Sequence, residues 1–174
     1  MTEPWDCPNG HPGQVGRYCE VDGYDSHLDA HLSAPVVGEK GWSITVAADR
    51  EYYEVTRATT EDLSIDYPLF LPPRRFPLRG ESVLVGRADV NRGIAPDIDL
   101  TGPPEDRAIG RAHAMFVPTG DGTWAVVDLR STNRTYVNDC ANPIPAEVPV
   151  ELRDSDRVFL GAWTALTVHL VTEP

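Results

Sequence analysis

From residue 42 to residue 171 the sequence predicts an all-β domain, a sandwich or a barrel. Three observations carry this: many short apolar runs with period two, turn residues between them at regular spacing, and no long stretch of helical period. Residues 42–47 (Trp-Ser-Ile-Thr-Val-Ala) alternate and open the domain. Residues 52–56 (Tyr-Tyr-Glu-Val-Thr) are aromatic and β-branched, which predicts a second strand. Residues 69–78 are interrupted by Pro72, Pro73 and Pro77, so they suit an edge or a connection. Residues 82–85 form a strand that ends at Gly86-Arg87, and residues 97–100 a short one. Residues 113–117 and 123–129 flank Gly120-Asp121-Gly122 and predict a hairpin. Residues 136–138, 148–152, 156–161 and 164–171 complete the set.

Composition narrows the function. The formal net charge of −12 argues against a nucleic-acid backbone or an anionic membrane as the general partner. Cations are nevertheless placed selectively. Thirteen Arg and no Lys follow residue 40, and Arg87, Arg92, Arg107, Arg111, Arg130 and Arg134 cluster in or beside three short segments. Arg presents a planar fork that matches phosphate oxygens bidentately. Cys7, Cys19 and Cys140 are an odd set with uneven spacing, which is no disulfide framework and fits a reducing compartment. Neither a signal-peptide pattern nor a membrane-length apolar run is present, so a cytoplasmic location is expected.

The three segments are Val85-Gly86-Arg87, Gly110-Arg111-Ala112-His113, and Ser131-Thr132-Asn133-Arg134-Thr135-Tyr136-Val137-Asn138. Each joins a cation or a small polar group to a turn-forming residue beside an apolar run. Read alone, Arg87 is a surface Arg closing a strand, and Ser-Thr-Asn makes local side-chain-to-backbone turns. Read together they offer a guanidinium fork, a hydroxyl and an amide, the groups that hold a phosphate on a peptide. In this order they resemble the forkhead-associated (FHA) domain, over roughly residues 42–171. The resemblance selects an antiparallel β-sandwich over a barrel, with phosphothreonine peptides read by loops at one end.

The resemblance also implies roles. Arg87 pairs with phosphate, Thr132 donates a hydroxyl to it, and Asn133 holds the peptide main chain. Gly86 and His113 are structural, His113 packing beneath the loops. Arg111 ranks below Arg87 as a phosphate or peptide contact. Two positions depart from the family pattern. Gly110 stands where a Ser is expected, so the site lacks one hydroxyl, unless the glycine is needed for a positive φ or a close approach. Arg134 stands where a Gly of positive φ is usual; either the turn differs here or about 1 kcal/mol of strain is tolerated. Arg130, where glycine is frequent, is a lesser departure. The long loops at 91–96 and 101–109 are expected to carry selectivity. They resemble a bacterial, actinobacterial-like subgroup that accompanies Ser/Thr kinase signalling.

Residues 1–32 differ in composition from the rest, and residues 33–41 read as a linker to a domain over 42–174. Within the first segment Cys7-x3-His11-x7-Cys19-x2-Asp22 resembles a degenerate zinc ribbon, with Asp22 in the position of the usual fourth Cys. Asp25 and His27 are alternative fourth ligands, and free thiols in a vestigial ribbon are the plain alternative. One structural zinc would suit an appendage too short to bury a core of its own. Residues 27–32 read as a short helical turn.

The leading expectation is a non-enzymatic adaptor that binds a phosphothreonine-containing protein, a kinase or a kinase substrate. The alternative is a degenerate FHA scaffold for an unphosphorylated partner, favoured by Gly110 and Arg134. A metal-dependent hydrolase built on Cys7, His11 and Cys19 stands behind both, because no general base lies near those residues in the sequence.

Overall fold

The computed structural model describes residues 5–7, 11–14, 41–59 and 64–171. The chain divides into two units, Met1–Glu39 and Lys40–Pro174. In the first, β1 (Trp5–Cys7) pairs antiparallel with β2 (His11–Gln14), and Cys7 lies opposite His11 in the register. Cys19, Asp22, the alternative ligands Asp25 and His27, the turn expected at 27–32 and residues 33–40 of the expected linker lie outside the described residues.

The second unit is a sandwich of two five-stranded sheets. Its strands are β3 (Gly41–Ala48), β4 (Arg74–Leu78), β5 (Val83–Gly86), β6 (Ile98–Asp99), β7 (Ala114–Pro118), β8 (Trp124–Asp128), β9 (Thr135–Val137), β10 (Val150–Leu152), β11 (Arg157–Leu160) and β12 (Thr164–Val171). One sheet runs β10-β8-β7-β5-β6 and the other β4-β3-β12-β11-β9. Alternation aims Val85, Phe116 and Val126 of the first and Ile44, Val158, Leu166 and Val168 of the second into one shared core, all fully buried. Burying each such side chain contributes about 1.5–3 kcal/mol. The proline-broken stretch becomes the edge strand β4, the position in a sheet where proline is tolerated. One pair departs from the antiparallel pattern: β5 and β6 run parallel.

The strand expected at 52–56 is instead part of helix α1, Arg50–Thr59. Local capping and tertiary burial override its β propensity. Asp49 caps the helix, its Oδ1 accepting from the Tyr52 N–H at 2.7 Å. Arg50 pairs with Glu54 one turn on, at 2.8 Å. Tyr52 and Tyr53 are both buried but flank different neighbours. Tyr52 packs on Phe159 with ring centroids 5.0 Å apart and donates its hydroxyl to the Gly161 carbonyl at 2.7 Å. Tyr53 packs on Tyr67 and against Ala162 and Trp163. The helix is thereby fixed beside the turn between β11 and β12.

Candidate functional site

A strap of backbone, residues 106–111, organises the loop end. Asp106 anchors it from below. Its carboxylate accepts from the Ala162 N–H at 3.0 Å, the Trp163 N–H at 3.1 Å and the Thr164 hydroxyl at 2.8 Å. Burial pushes its carboxyl above the ordinary carboxylate range, and those donors oppose the shift. Gly161 makes room for this contact, since a Cβ there would sit 2.5 Å from Asp106 Oδ2. At the other end of the strap Gly86 meets it edge-on: a Cβ would lie 1.9 Å from the Arg111 carbonyl oxygen. The Arg87 N–H is shared between the Gly110 and Arg111 carbonyls, both at 3.2 Å.

His113 is fully buried under the strap. Its Nδ1 accepts from the Gly110 N–H at 2.9 Å, so its proton resides on Nε2, which donates to the Arg134 carbonyl at 2.8 Å. Burial lowers its pKa and keeps the ring neutral. A neutral imidazole with both nitrogens spent on backbone ties the strap to the loop 129–134 and has no lone pair left for catalysis.

The strap carbonyls gather the expected ligands. Ile109 accepts from Arg87 Nε at 2.6 Å, and the carbonyl before it, Ala108, accepts from the Asn133 amide at 2.8 Å. Arg87 Nη1 also reaches Glu105 Oε1 at 3.1 Å, so two of the five guanidinium protons are engaged and three remain for a ligand. Thr132 is exposed, with no hydrogen bond to its hydroxyl among the described residues. Ser131 has a supporting role. Its hydroxyl and that of Thr135 both donate to the buried carboxylate of Asp128, which pins the loop.

The departures resolve differently. Gly110 has no positive φ, and a Cβ there would meet nothing closer than His113 Nδ1 at 3.6 Å, an ordinary contact. The backbone therefore does not require glycine. Arg134 and Arg130 do occupy the left-handed region, with φ of 68° and 56°. The turn geometry of the family pattern is retained at Arg134, at about 1 kcal/mol of strain. Arg111 is not gathered with Arg87; Asp89 Oδ2 holds its Nε at 2.5 Å. Arg130 pairs with Glu147. Arg107 and Arg134 have no ion pair among the described residues.

Beside Thr132 and Asn133 a cleft of ≈ 410 Å³ opens between α1 and the strap. Sequence reasoning did not find it, nor Glu105, Asp106, Asp89 and Asp128, because each acts on residues distant in sequence. Cys140, which reads as an inert loop residue, lines this cleft and packs against the Tyr52 cluster; burial raises its thiol pKa. Among the described residues no three His, Cys, Asp or Glu side chains form a metal cluster. No helix among them is long and apolar enough to cross a membrane.

Residues 83–161 match the family model of the FHA domain. An FHA domain-containing protein of Arabidopsis thaliana is 30% identical over 94 residues, 54% of this chain and 22% of that protein. Protein FraH of a Nostoc species is 32% identical over 77 residues, 44% of this chain and 26% of that protein. The chain thus spans about a quarter of the length of the curated relatives it matches. The solution structure of the FHA domain of an Arabidopsis thaliana hypothetical protein superposes with a TM-score of 0.52 at 23% identity, covering 78% of this chain and 89% of that one.

Proposed function

We propose that this chain, which carries an FHA domain over residues 83–161, is a non-catalytic adaptor that docks on phosphothreonine segments of a kinase or a kinase substrate. The observation that supports this most is the placement of Arg87 and Asn133 on consecutive strap carbonyls beside an exposed Thr132. The free guanidinium protons of Arg87 take the phosphate, the Thr132 hydroxyl adds a donor, and Asn133 holds the peptide main chain. Gly110 and Arg134 stand around this pocket, the Arg111 guanidinium is held on Asp89 instead, and Gly86 and His113 shape it. The reading places the chain in bacterial Ser/Thr kinase signalling, in the cytoplasm, with neither nucleic acid nor membrane as its partner.

A second reading keeps the fold and drops the phosphate: a scaffold for an unphosphorylated partner. Glu105 favours it, because its carboxylate already sits on Arg87. An oriented phosphothreonine library and its unphosphorylated counterpart separate the two. Selective retention of the phosphorylated peptides, lost by about 2–4 kcal/mol in Arg87→Ala, supports the adaptor. Equal retention of both libraries establishes the scaffold.

We also propose that residues 1–32 are a degenerate zinc ribbon holding one structural zinc, joined through residues 33–41 to the domain over 42–174. The cross-strand pairing of Cys7 with His11 supports it, since a hairpin can present two ligands to one ion. Cys19 and Asp22 would complete the set. Zinc there would close the fold of a segment with little core and would supply no chemistry.

A further inference from the structure

We propose that this chain associates head to tail with a second copy of itself: Leu69 and Phe70 of one molecule seat on the outward apolar face of the β10-β8-β7-β5-β6 sheet of the next. Neither surface includes Arg87, Thr132 or Asn133, so the proposal stands independently of the phosphothreonine reading. Three observations carry it.

The first is the apolar pair. Ile65, Tyr67 and Leu71 pack into the cluster of Tyr53, Ala162 and Trp163. Leu69, next in that alternation, turns outward instead: it is fully exposed, and Phe70 is 79% exposed. Among the described residues they are the only two adjacent large hydrophobic side chains so exposed. Pro68, Pro72 and Pro73 restrict the backbone around them, and the packed residues on either side fix its ends. The pair is held out in a set conformation, so little ordering entropy is lost on contact.

The second is the face. In β5, β7 and β8 the core takes Val83, Val85, Ala114, Phe116, Trp124 and Val126. Strand alternation sends Leu84, Met115, Val117, Ala125 and Val127 to the other side. The register sets Met115 opposite both Leu84 and Val127, and Val117 opposite Ala125. These five form one apolar strip, where the outward face of an antiparallel sheet is commonly polar. None of them belongs to a hydrophobic cluster among the described residues, and all but Ala125 are partly exposed. The other sheet shows the contrast. There α1 covers Phe159 and Ala165 through Tyr52, and beyond them Ser43, Thr45, Arg75, Thr167 and His169 face outward. A contiguous apolar patch left open marks a contact surface.

The third is charge. Arg74 and Arg75 follow the apolar pair. Arg74 has no ion pair among the described residues, and Arg75 donates to the neutral hydroxyl of Ser43. Asp66 is the only acidic residue between 64 and 78. The face has the opposite sign. No Lys or Arg lies in the five strands of its sheet. Glu151 stands directly opposite Ala125, and Asp97 accepts from the Leu84 N–H at 2.7 Å. An apolar pair with a cationic flank thus meets an apolar strip with an acidic border. Two copies of the strip, both bordered by acid, repel each other, so the head-to-tail contact is favoured over a face-to-face one. Pro77 and the two Arg also blunt the free edge of β4 against strand addition. Two side chains cover a small area, so the contact is weak, and head-to-tail contacts propagate unless the rotation closes.

The test is sedimentation velocity of the full chain from about 10 μM to about 1 mM, the range of small-area contacts. The expected result is a weight-average sedimentation coefficient that rises with concentration. Leu69→Ser/Phe70→Ser should stay monomeric, with an unchanged thermal midpoint because both positions are exposed. Met115→Gln/Val127→Thr should also stay monomeric. Mixing the two variants should restore association, and only as a 1:1 pair, because each keeps the surface that the other lacks. If the face variant does not fold, Glu151→Arg replaces it: set against Arg74 and Arg75, it should shift association at least threefold to higher concentration. A wild-type chain that stays monomeric throughout overturns the proposal, and so does association that survives loss of the apolar pair. A monomeric mixture of the two folded variants overturns the head-to-tail arrangement. A monomeric chain that binds phosphatidylglycerol vesicles, with binding lost in Leu69→Ser/Phe70→Ser, assigns the pair to a membrane surface and overturns the proposal as well.

Discussion

If the loop end is the phosphate pocket proposed above, Gly110 leaves it one hydroxyl short of the pattern that the resemblance implies. The glycine is not imposed by the backbone, because its φ is not positive and a Cβ meets only van der Waals contact. Gly110→Ser should therefore fold normally and strengthen phosphothreonine binding, by up to about 1.5–3 kcal/mol if the new bond to the charged phosphate is well aligned. The gain should disappear in Arg87→Ala, since without the guanidinium the phosphate is no longer held beside residue 110. Calorimetry on the double-mutant cycle checks this, and additive effects would refute it. Glu105 acts in the opposite direction. Its carboxylate shares Arg87 with any incoming phosphate, and the pair is partly exposed, with side chains 23% and 34% accessible for Arg and Glu. A pair of that kind is worth up to about 1 kcal/mol. Glu105→Gln should accordingly tighten phosphopeptide binding by no more than about fivefold, and should weaken discrimination against an unphosphorylated Asp or Glu peptide. A looser complex in Glu105→Gln would show instead that Glu105 positions Arg87.

The strands and the strap were legible in the sequence to very different degrees. Strands such as β3, β7, β8 and β12 announce themselves because burial on one face writes a period of two into adjacent residues. The three site motifs are equally local, so Arg87, Gly110, Thr132 and Asn133 could be named from spacing and resemblance. Helix α1 could not, because Tyr-Tyr-Glu-Val-Thr favours a strand. Its helicity comes from the Asp49 cap, the Arg50–Glu54 pair and the burial of Tyr52 and Tyr53 against β11 and the β11–β12 turn. The strap was hidden for the same reason: Asp106 binds Ala162 across 56 residues of sequence. Asp49→Ala should cost about 1–2 kcal/mol of unfolding free energy, through the lost cap and the lost pair with Arg157. Denaturant unfolding measures it, and a change under 0.5 kcal/mol would mean that tertiary packing alone sets the helix. The strap is also sensitive to acid. Folding depresses the His113 pKa below its ordinary 6.5, so the unfolded chain takes the proton first. The stability contributed by neutral His113 is fully present above pH 6.5 and is lost as pH falls through the folded-state value. Protonated Nδ1 would also face the Gly110 N–H, donor against donor. Raised by burial, the carboxyl of Asp106 has the opposite sign at lower pH. The thermal midpoint should therefore decline between about pH 7.5 and 5.5, and decline less in His113→Gln; parallel profiles would assign the slope to other groups.

At the scale of the whole molecule, the charge balance and the two-unit organisation bear on function together. A net charge of −12 makes most of the surface unfavourable for phosphorylated or acidic segments, so among the described residues approach is favoured where Arg57, Arg107 and Arg134 line one cleft next to the strap that holds Arg87. The N-terminal unit contributes none of these groups. If residues 1–32 are a ribbon closed by zinc through Cys7, His11, Cys19 and Asp22, metal and peptide should be thermodynamically separate. Elemental analysis of the purified chain should then give about one zinc per molecule, and Cys7→Ser should abolish it, because a thiolate is lost from a site with only two. Chelation should remove the metal and unfold the β1–β2 hairpin, seen as loss of amide protection in residues 5–14, while protection of β7, β8 and β12 persists. Phosphopeptide affinity should be the same before and after chelation, because no ligand of the proposed zinc belongs to the loop end. A metal-free preparation with a protected hairpin would remove zinc and leave the lobe standing on its own. A fall in peptide affinity on chelation, with zinc present beforehand, would show that the two units are linked and that the ribbon is part of the binding machinery.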